Sequence, residues 1–384
     1  MGNALGGKMI VGDVRRPVRV SLVGIGKMGI SHLAIARALD GVDVVGVCDA
    51  ADYLRSLLGK YTGLRMFSDV ERMLEESAPD AVIIATPTGS HAALVRQALE
   101  RGIHVFCEKP LTLTPAESAE LAELAERRGL IAQVGYHNRF VATFREAKRL
   151  LDAGAIGRVS HALAEAYGPV VLRAKGNTWR SKRSSGGGCL YDYAAHPIDL
   201  ASWFLGAPER VRGSVLTSVF SADTDDGVAA TIIHAGGAIT QVSVDWSDES
   251  FRKMSTMMTI SGSAGRIYAD RQELRVYLRE PVAALPEYRV GWNIRYITEL
   301  TPPTPFYLRG EEYTAQLEAF VAAVRSGHGQ TPENSFASAA VNDSVLSAIM
   351  ADAAEASGGG VAIGGSEPVV APASSGRGRR WWAR

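Results

Sequence analysis

Gly24-Ile25-Gly26-Lys27-Met28-Gly29 has the G-x-G-x-x-G spacing through which a backbone can approach a dinucleotide. It follows an apolar run, Val18 to Val23, and opens a stretch with helical spacing at 28–39. In that setting the first glycine permits a tight turn and the second lets backbone reach a pyrophosphate. The third allows close helix–strand packing. The helix start adds free N–H groups and the positive end of its dipole. Asp49 ends the next apolar run about 20 residues on, where a carboxylate can hold a ribose 2′-hydroxyl. A carboxylate there repels a 2′-phosphate, and no arginine follows directly in CDAADY, so the pattern favours NAD over NADP.

Three further clusters carry usable chemistry. Thr86, Pro87 and His91 lie in TPTGSH, which follows the apolar run 80–85. Ligands bind at the carboxyl ends of such strands. Ser90 in the same cluster also suits capping the next helix. Glu108-Lys109-Pro110 follows the short run 104–107 and puts a lysine at the same sheet edge. Lys109 can polarise a substrate oxygen there, or lie solvated on the surface. Downstream, Gly186-Gly187-Gly188 precedes CLYDYAAHPID. Asp192 and His196 are spaced i,i+4 and share one face of a helix. A carboxylate that orients an imidazole is a recurring general-base arrangement. The same pair can begin a metal site, but two ligands without a third are too few, so no metal is expected. Pro197 removes the bond to the Tyr193 carbonyl, which predicts a kink just past His196.

The elements that must place these residues fall into two textures. Over 17–140, buried strands alternate with helices, which implies a parallel sheet covered on both faces. Strands are expected at 18–23, 42–48, 80–85, 104–107 and 131–135, and a helix from Ser90 to about Glu100. Thr114, Pro115 and Glu117 read as N-cap, first helical residue and capping-box acid. Over 141–356, a helix at 141–152 leads into alternating runs at 159–166, 210–219, 228–234, 239–246, 254–261, 266–270 and 273–278. That alternation predicts an antiparallel sheet with one wet face. Helices are expected at 190–205, 311–326 and 336–356. Residues 1–16, Gly-containing and non-periodic, and 357–384, rich in Gly, Ser, Pro and Ala, read as flexible ends.

Composition bounds the rest. The chain has 384 residues, enough for two or three domains at about 150 each. Lys+Arg and Asp+Glu are both 41, so no basic excess points to nucleic acid or an anionic membrane. No apolar run is long enough to span a bilayer, and the start lacks a signal-peptide pattern. Three scattered cysteines form no disulfide framework, so a cytoplasmic location is expected.

The GIGKMG turn, the CEKP segment and GGGCLYDYAAHPIDL, at this separation, resemble the Gfo/Idh/MocA oxidoreductase family. That family takes its name from glucose–fructose oxidoreductase, inositol dehydrogenase and a rhizopine-catabolism protein. The resemblance covers about residues 18–356. It implies an N-terminal Rossmann domain, 17–140, and a C-terminal α+β domain, 141–356, with a large, mostly antiparallel open sheet. It also implies reversible hydride transfer between nicotinamide and a ring secondary hydroxyl of a sugar or cyclitol. By this resemblance His196 is the acid–base group, Lys109 bonds the reacting oxygen, and Asp192 positions the substrate and tunes His196. Glu108 and Lys109 join the cofactor residues. Tyr136, Arg139, Trp179 and Arg180 join the substrate residues, with Lys182 and Asn177 at the mouth. The segment from Tyr288 to Phe320 looks like members acting on modified or activated sugars. Family members dimerise or tetramerise through the outer sheet face. Some hydrolyse glycosides with an internally recycled cofactor, and some only sense ligands.

Overall fold

The computed structural model describes residues 16–173, 178–304, 306–327 and 333–356. The expected flexible ends therefore lie outside the described residues, Arg16 excepted. The Val-rich runs form β1 (Val18–Val23) and β2 (Val42–Cys48), joined by α1 (Lys27–Ala38). Then come α2 (Asp52–Thr62), β3 (Met66–Phe67), α3 (Val70–Ser77), β4 (Ala81–Ile84) and α4 (His91–Glu100). β5 (His104–Cys107), α5 (Pro115–Arg127) and β6 (Ala132–Val134) complete this half. The six strands are all parallel, in the order β3-β2-β1-β4-β5-β6. Strand order reverses between β1 and β4, and a crevice opens at the carboxyl ends of strands at such a reversal. The glycine turn, Asp49, Thr86 and Lys109 all follow strand ends on this one edge.

The second half begins with α6 (Ala142–Asp152) and β7 (Val159–Tyr167), followed by α7 (Ala195–Leu205). β8 (Pro208–Thr217), β9 (Gly227–His234), β10 (Ile239–Asp245) and β11 (Ser255–Gly262) come next. β12 (Gly265–Asp270), β13 (Glu273–Leu278) and β14 (Gly291–Tyr296) finish the sheet. Short α8 (Ile297–Leu300) precedes α9 (Glu311–Ser326) and α10 (Phe336–Ala356). The eight strands run β14-β13-β12-β11-β7-β10-β9-β8. Every pairing is antiparallel except β7 with β10. One face buries Ala164, Met258, Ile260 and Val276 against Phe144 and Leu150 of α6 and Leu200 of α7. The other face leaves Trp292, Ile294 and Tyr296 of the edge strand exposed.

The last helices return to the first sheet. Leu317 and Phe320 of α9 enter the cluster of Val20, Leu22 and Ile35, and Phe336 of α10 packs with Leu121 of α5. Phe320 is fully buried, which is worth about 1.5–3 kcal/mol. Among the described residues no helix is long and apolar enough to cross a membrane.

Several expectations need correction. Thr114 is the N-cap of α5, yet its side chain makes no capping bond; its N–H bonds the Thr112 hydroxyl instead. α2 is a helix that the sequence reading does not expect: it packs only Leu54 and Leu58 partly against the core, while Tyr53, Leu57 and Tyr61 face solvent. β3, α3 and edge strand β14 were likewise not anticipated. The irregularity near Pro197 falls one turn early, as a π-turn at Leu190–Ala194. A wider turn there separates the Tyr193 carbonyl from the proline ring that would clash with it in a regular helix.

Candidate active site

At the cofactor edge, β1 is followed by Gly24 with φ 94, where a Cβ would sit 2.8 Å from the Ala85 carbonyl oxygen. A Cβ on Gly29 would lie 1.8 Å from the Gly24 carbonyl oxygen, so α1 can approach β1 only through glycine. Gly26 differs: a Cβ there meets nothing within 4 Å. It is the N-cap of α1, its side is open, and no acidic residue occupies the first turn. That open cradle at a helix N-terminus fits a diphosphate. Asp49 accepts from the Ile25 N–H at 2.6 Å and the Ala51 N–H at 2.8 Å. Ile25 therefore points into the core and spends its amide on Asp49. Gly26, Lys27 and Met28 remain at the surface of the turn.

The next loop is braced from within. His91 is buried, with Nε2 2.9 Å from the Thr86 carbonyl oxygen and Nδ1 3.0 Å from that of Pro110. It straps the Thr86 loop to the segment after Lys109, and does not present its ring to a ligand. Ser90 does not cap α4; its hydroxyl donates to Thr86 Oγ1 and the Pro87 carbonyl, both at 2.8 Å. Pro87 is exposed and Thr86 half-buried. Glu108 also serves the frame. Its Oε1 lies 2.6 Å from His32 Nε2 of α1. Burial works to raise this carboxyl, but His32 and Lys109 hold it below the usual range.

The triple glycine brings the 186–199 segment to this edge. A Cβ on Gly187 would lie 2.3 Å from the Arg180 carbonyl oxygen, and one on Gly188 2.6 Å from Asp225 Oδ1. Asp225 accepts the Leu190 N–H at 2.6 Å and so fixes the start of the π-turn. From that turn Asp192 meets Lys109. The ammonium donates to Asp192 Oδ1 at 3.0 Å and to its carbonyl at 2.6 Å. Arg180 Nε donates to Asp192 Oδ2 at 2.9 Å, and its guanidinium stacks over Trp179. Burial pushes the Asp192 carboxyl up, but the two cations prevail and keep it below the usual range.

His196 is 4% exposed. Its ring is held by packing, 4.9 Å from that of His137 and 6.3 Å from that of Tyr136, edge to face in both cases. His137 stacks in turn on Tyr313. Burial first, then the Lys109 and Arg271 charges, push His196 well below its ordinary value, so the ring is a neutral proton acceptor. Asp192, which the spacing and the resemblance assign to orienting or tuning His196, gives its carboxylate oxygens to Lys109 and Arg180.

Two expected substrate residues are structural. Tyr136 is fully buried and accepts a hydrogen bond from Asn342. Arg139 forms a buried two-pronged ion pair with Asp199, at 2.6 and 2.9 Å. Lys182 is exposed, and Asn177 lies outside the described residues. Sequence reasoning missed Asp225, Asp199, Tyr313 and Arg271. Asp199 alone carried a usable signal: it sits one turn past His196 in an apolar helix, and a carboxylate buried there needs a cation.

Residues 18–136 match the oxidoreductase family with an NAD-binding Rossmann fold, and residues 144–268 match the GFO/IDH/MocA C-terminal domain. A myo-inositol 2-dehydrogenase of Thermotoga maritima is 26% identical over 324 residues, 81% of this chain and 89% of that protein. A scyllo-inositol 2-dehydrogenase (NAD(+)) of Bacillus subtilis is 33% identical over 192 residues. That match spans 50% of this chain and 54% of that relative's length. Among solved structures, levoglucosan dehydrogenase in complex with NADH and L-sorbose superposes with a TM-score of 0.78 at 25% identity. It covers 88% of this chain and 97% of the other.

Proposed function

The chain belongs to the Gfo/Idh/MocA oxidoreductase family, and on that premise we propose that it oxidises or reduces a ring secondary alcohol of a sugar or cyclitol. One observation carries this reading. A paired lysine and a buried neutral histidine converge at the sheet edge that also bears the open glycine cradle.

Bound at Gly26, Lys27, Met28 and Asp49, NAD supplies the acceptor for the hydrogen and its electron pair. The protein's own groups handle the proton. In oxidation, a ring nitrogen of His196 takes the hydroxyl proton, which burial leaves it free to accept. Negative charge then develops on the oxygen, and the Lys109 ammonium, fixed by two bonds to Asp192, stabilises it. Arg180 and Asp192 present the remaining donors and acceptors to neighbouring ring hydroxyls. In reduction each step reverses, and the buried imidazolium gives up its proton readily. The three buried free thiols suit a reducing cytoplasm. The outer sheet face, with Tyr277 and Trp292 exposed, suits pairing with a second copy in a dimer or tetramer.

The test is NADH formation in the near ultraviolet, with NAD and a panel of cyclitols, free sugars, glycosides and nucleotide sugars. His196→Ala and Lys109→Ala are each expected to lower turnover about a hundredfold or more. Wild-type rates in both variants would overturn the assignment.

A further inference from the structure

His32 lies in the second turn of α1 and is fully buried. Its Nε2 donates to Glu108 Oε1 at 2.6 Å, and Glu108 Oε2 accepts the Lys109 N–H at 3.3 Å. Glu108 therefore bridges the helix that opens on the glycine cradle and the backbone of the lysine. Burial pushes the Glu108 carboxyl up, but the His32 bond, with Lys109 behind it, keeps it ionised. An ionised carboxylate has no proton to give, so the proton of this bond belongs to the imidazole.

The imidazole has no other polar task. Nδ1 is buried and has no hydrogen-bond partner among the described residues. The ring meets Phe106 edge to face at 5.2 Å. An apolar side chain there would leave no polar atom unpaired, so packing alone does not account for a histidine. The bridge also has little room to move. A Cβ on Gly135 would stand 3.0 Å from Glu108 Oε2. Just beyond the lysine, His91 Nδ1 lies 3.0 Å from the Pro110 carbonyl oxygen. Asp192 holds the tip of Lys109, while its backbone is held from α1 through Glu108.

We propose that His32 is a positioning residue for the reaction: through Glu108 it fixes Lys109 relative to the helix that holds the cofactor. Hydride transfer needs the nicotinamide and the reacting oxygen in one frame, and a misplacement of about 1 Å, caused far from the chemistry, can cost about a hundredfold. The proposal deepens the dehydrogenase reading and rests on it for the rate.

The experiment compares His32→Leu, His32→Gln and Glu108→Gln with the wild type at saturating NAD, on the substrate that the panel gives. His32→Leu and Glu108→Gln are expected to lower kcat about tenfold or more, with NAD affinity in calorimetric titration little changed. His32→Gln puts an amide nitrogen where Nε2 stands and is expected to restore most of the rate. In a Lys109→Ala background, His32→Leu is expected to cost nothing further. An equal loss with and without Lys109, weaker NAD binding at unchanged kcat, or a His32→Leu rate equal to the wild type would overturn the proposal. A second readout needs no turnover. With NAD bound, a small amine reagent is expected to label Lys109 several times faster in His32→Leu than in the wild type or His32→Gln, by peptide mass spectrometry. The other lysines are the internal control; where all of them label faster, Glu108→Gln is read in place of His32→Leu. Equal Lys109 labelling overturns the proposal. Faster Lys109 labelling without NADH from any substrate leaves the positioning role standing and the dehydrogenase reading lost. NADH formation at rates indifferent to His32 does the reverse.

Discussion

Replacing Gly26 by alanine separates folding from cofactor binding. The residue has φ −70 and ψ −174, an ordinary conformation for alanine, and a Cβ would meet nothing within 4 Å. Gly→Ala at a compatible position stabilises by about 0.4–1 kcal/mol, chiefly by restricting the unfolded chain. The free protein should thus melt about 1–4 °C higher. The same methyl fills the space a pyrophosphate would use, so NAD affinity should fall tenfold or more, about 1.4 kcal/mol. With NAD at a hundredfold excess over Kd, the wild type gains about 2.7 kcal/mol, and the variant should lose roughly half of that. Calorimetric titration with NAD and thermal melts with and without it read both effects. Gly29→Ala is the contrast. Its Cβ would lie 1.8 Å from the Gly24 carbonyl oxygen, so the free protein itself should melt lower. Unchanged NAD affinity in Gly26→Ala would place the phosphates elsewhere, and a melting point several degrees lower would refute the open cradle.

Asp49→Ala frees the Ile25 amide and removes the carboxylate, so binding should shift from NAD toward NADP; an unchanged ratio of the two dissociation constants would take Asp49 out of the site. Arg139→Leu leaves Asp199 buried and unpaired, a loss of about 3–5 kcal/mol in stability. An unshifted melt with a raised KM would mean that Arg139 faces substrate after all. Asp343 accepts from the Ser118 hydroxyl and the Thr112 amide with one oxygen, while the other is unpartnered. Burial pushes its carboxyl up to about 7, so the folded chain keeps a proton that the unfolded chain releases above about pH 4. Stability is therefore lost as pH rises from about 4 to about 7 and stays lost above that. Asp343→Asn should raise the melting point at pH about 8 by more than at pH about 5, and equal gains at both would contradict this.

Strands showed in the sequence wherever both faces are buried. β1 and β5 coincide with their apolar runs because a parallel strand between helix layers admits little polar sequence. β14 turns Trp292, Ile294 and Tyr296 outward, and α2 faces the core with Leu54 and Leu58 alone while Tyr53, Leu57 and Tyr61 face solvent, so the core-facing period is weak in both. The site was legible in residue type and only partly in direction. Lys109 and Asp192 meet as a pair, and the Asp192 carboxylate bonds Lys109 and Arg180, both distant in sequence from the His196 that i,i+4 spacing assigns it. Tyr136 and Arg139 follow the last Rossmann strand, as ligand-binding residues do. Their partners Asn342 and Asp199 are distant in sequence, so nothing local says that both side chains point inward.

The single parallel pairing in the second sheet sets an order of assembly. β7 lies between β10 and β11, and both come later in the chain. During synthesis β7 therefore has no sheet neighbour until residues 239–262 have been made, and contacts of such long separation form slowly. The connection between β7 and β10 carries the triple glycine, the π-turn and α7. α7, which carries His196, packs on β7, β10 and β11 and so settles only after that sheet centre has closed, and a nascent or partly unfolded chain can present its glycine turn before His196 stands beside it.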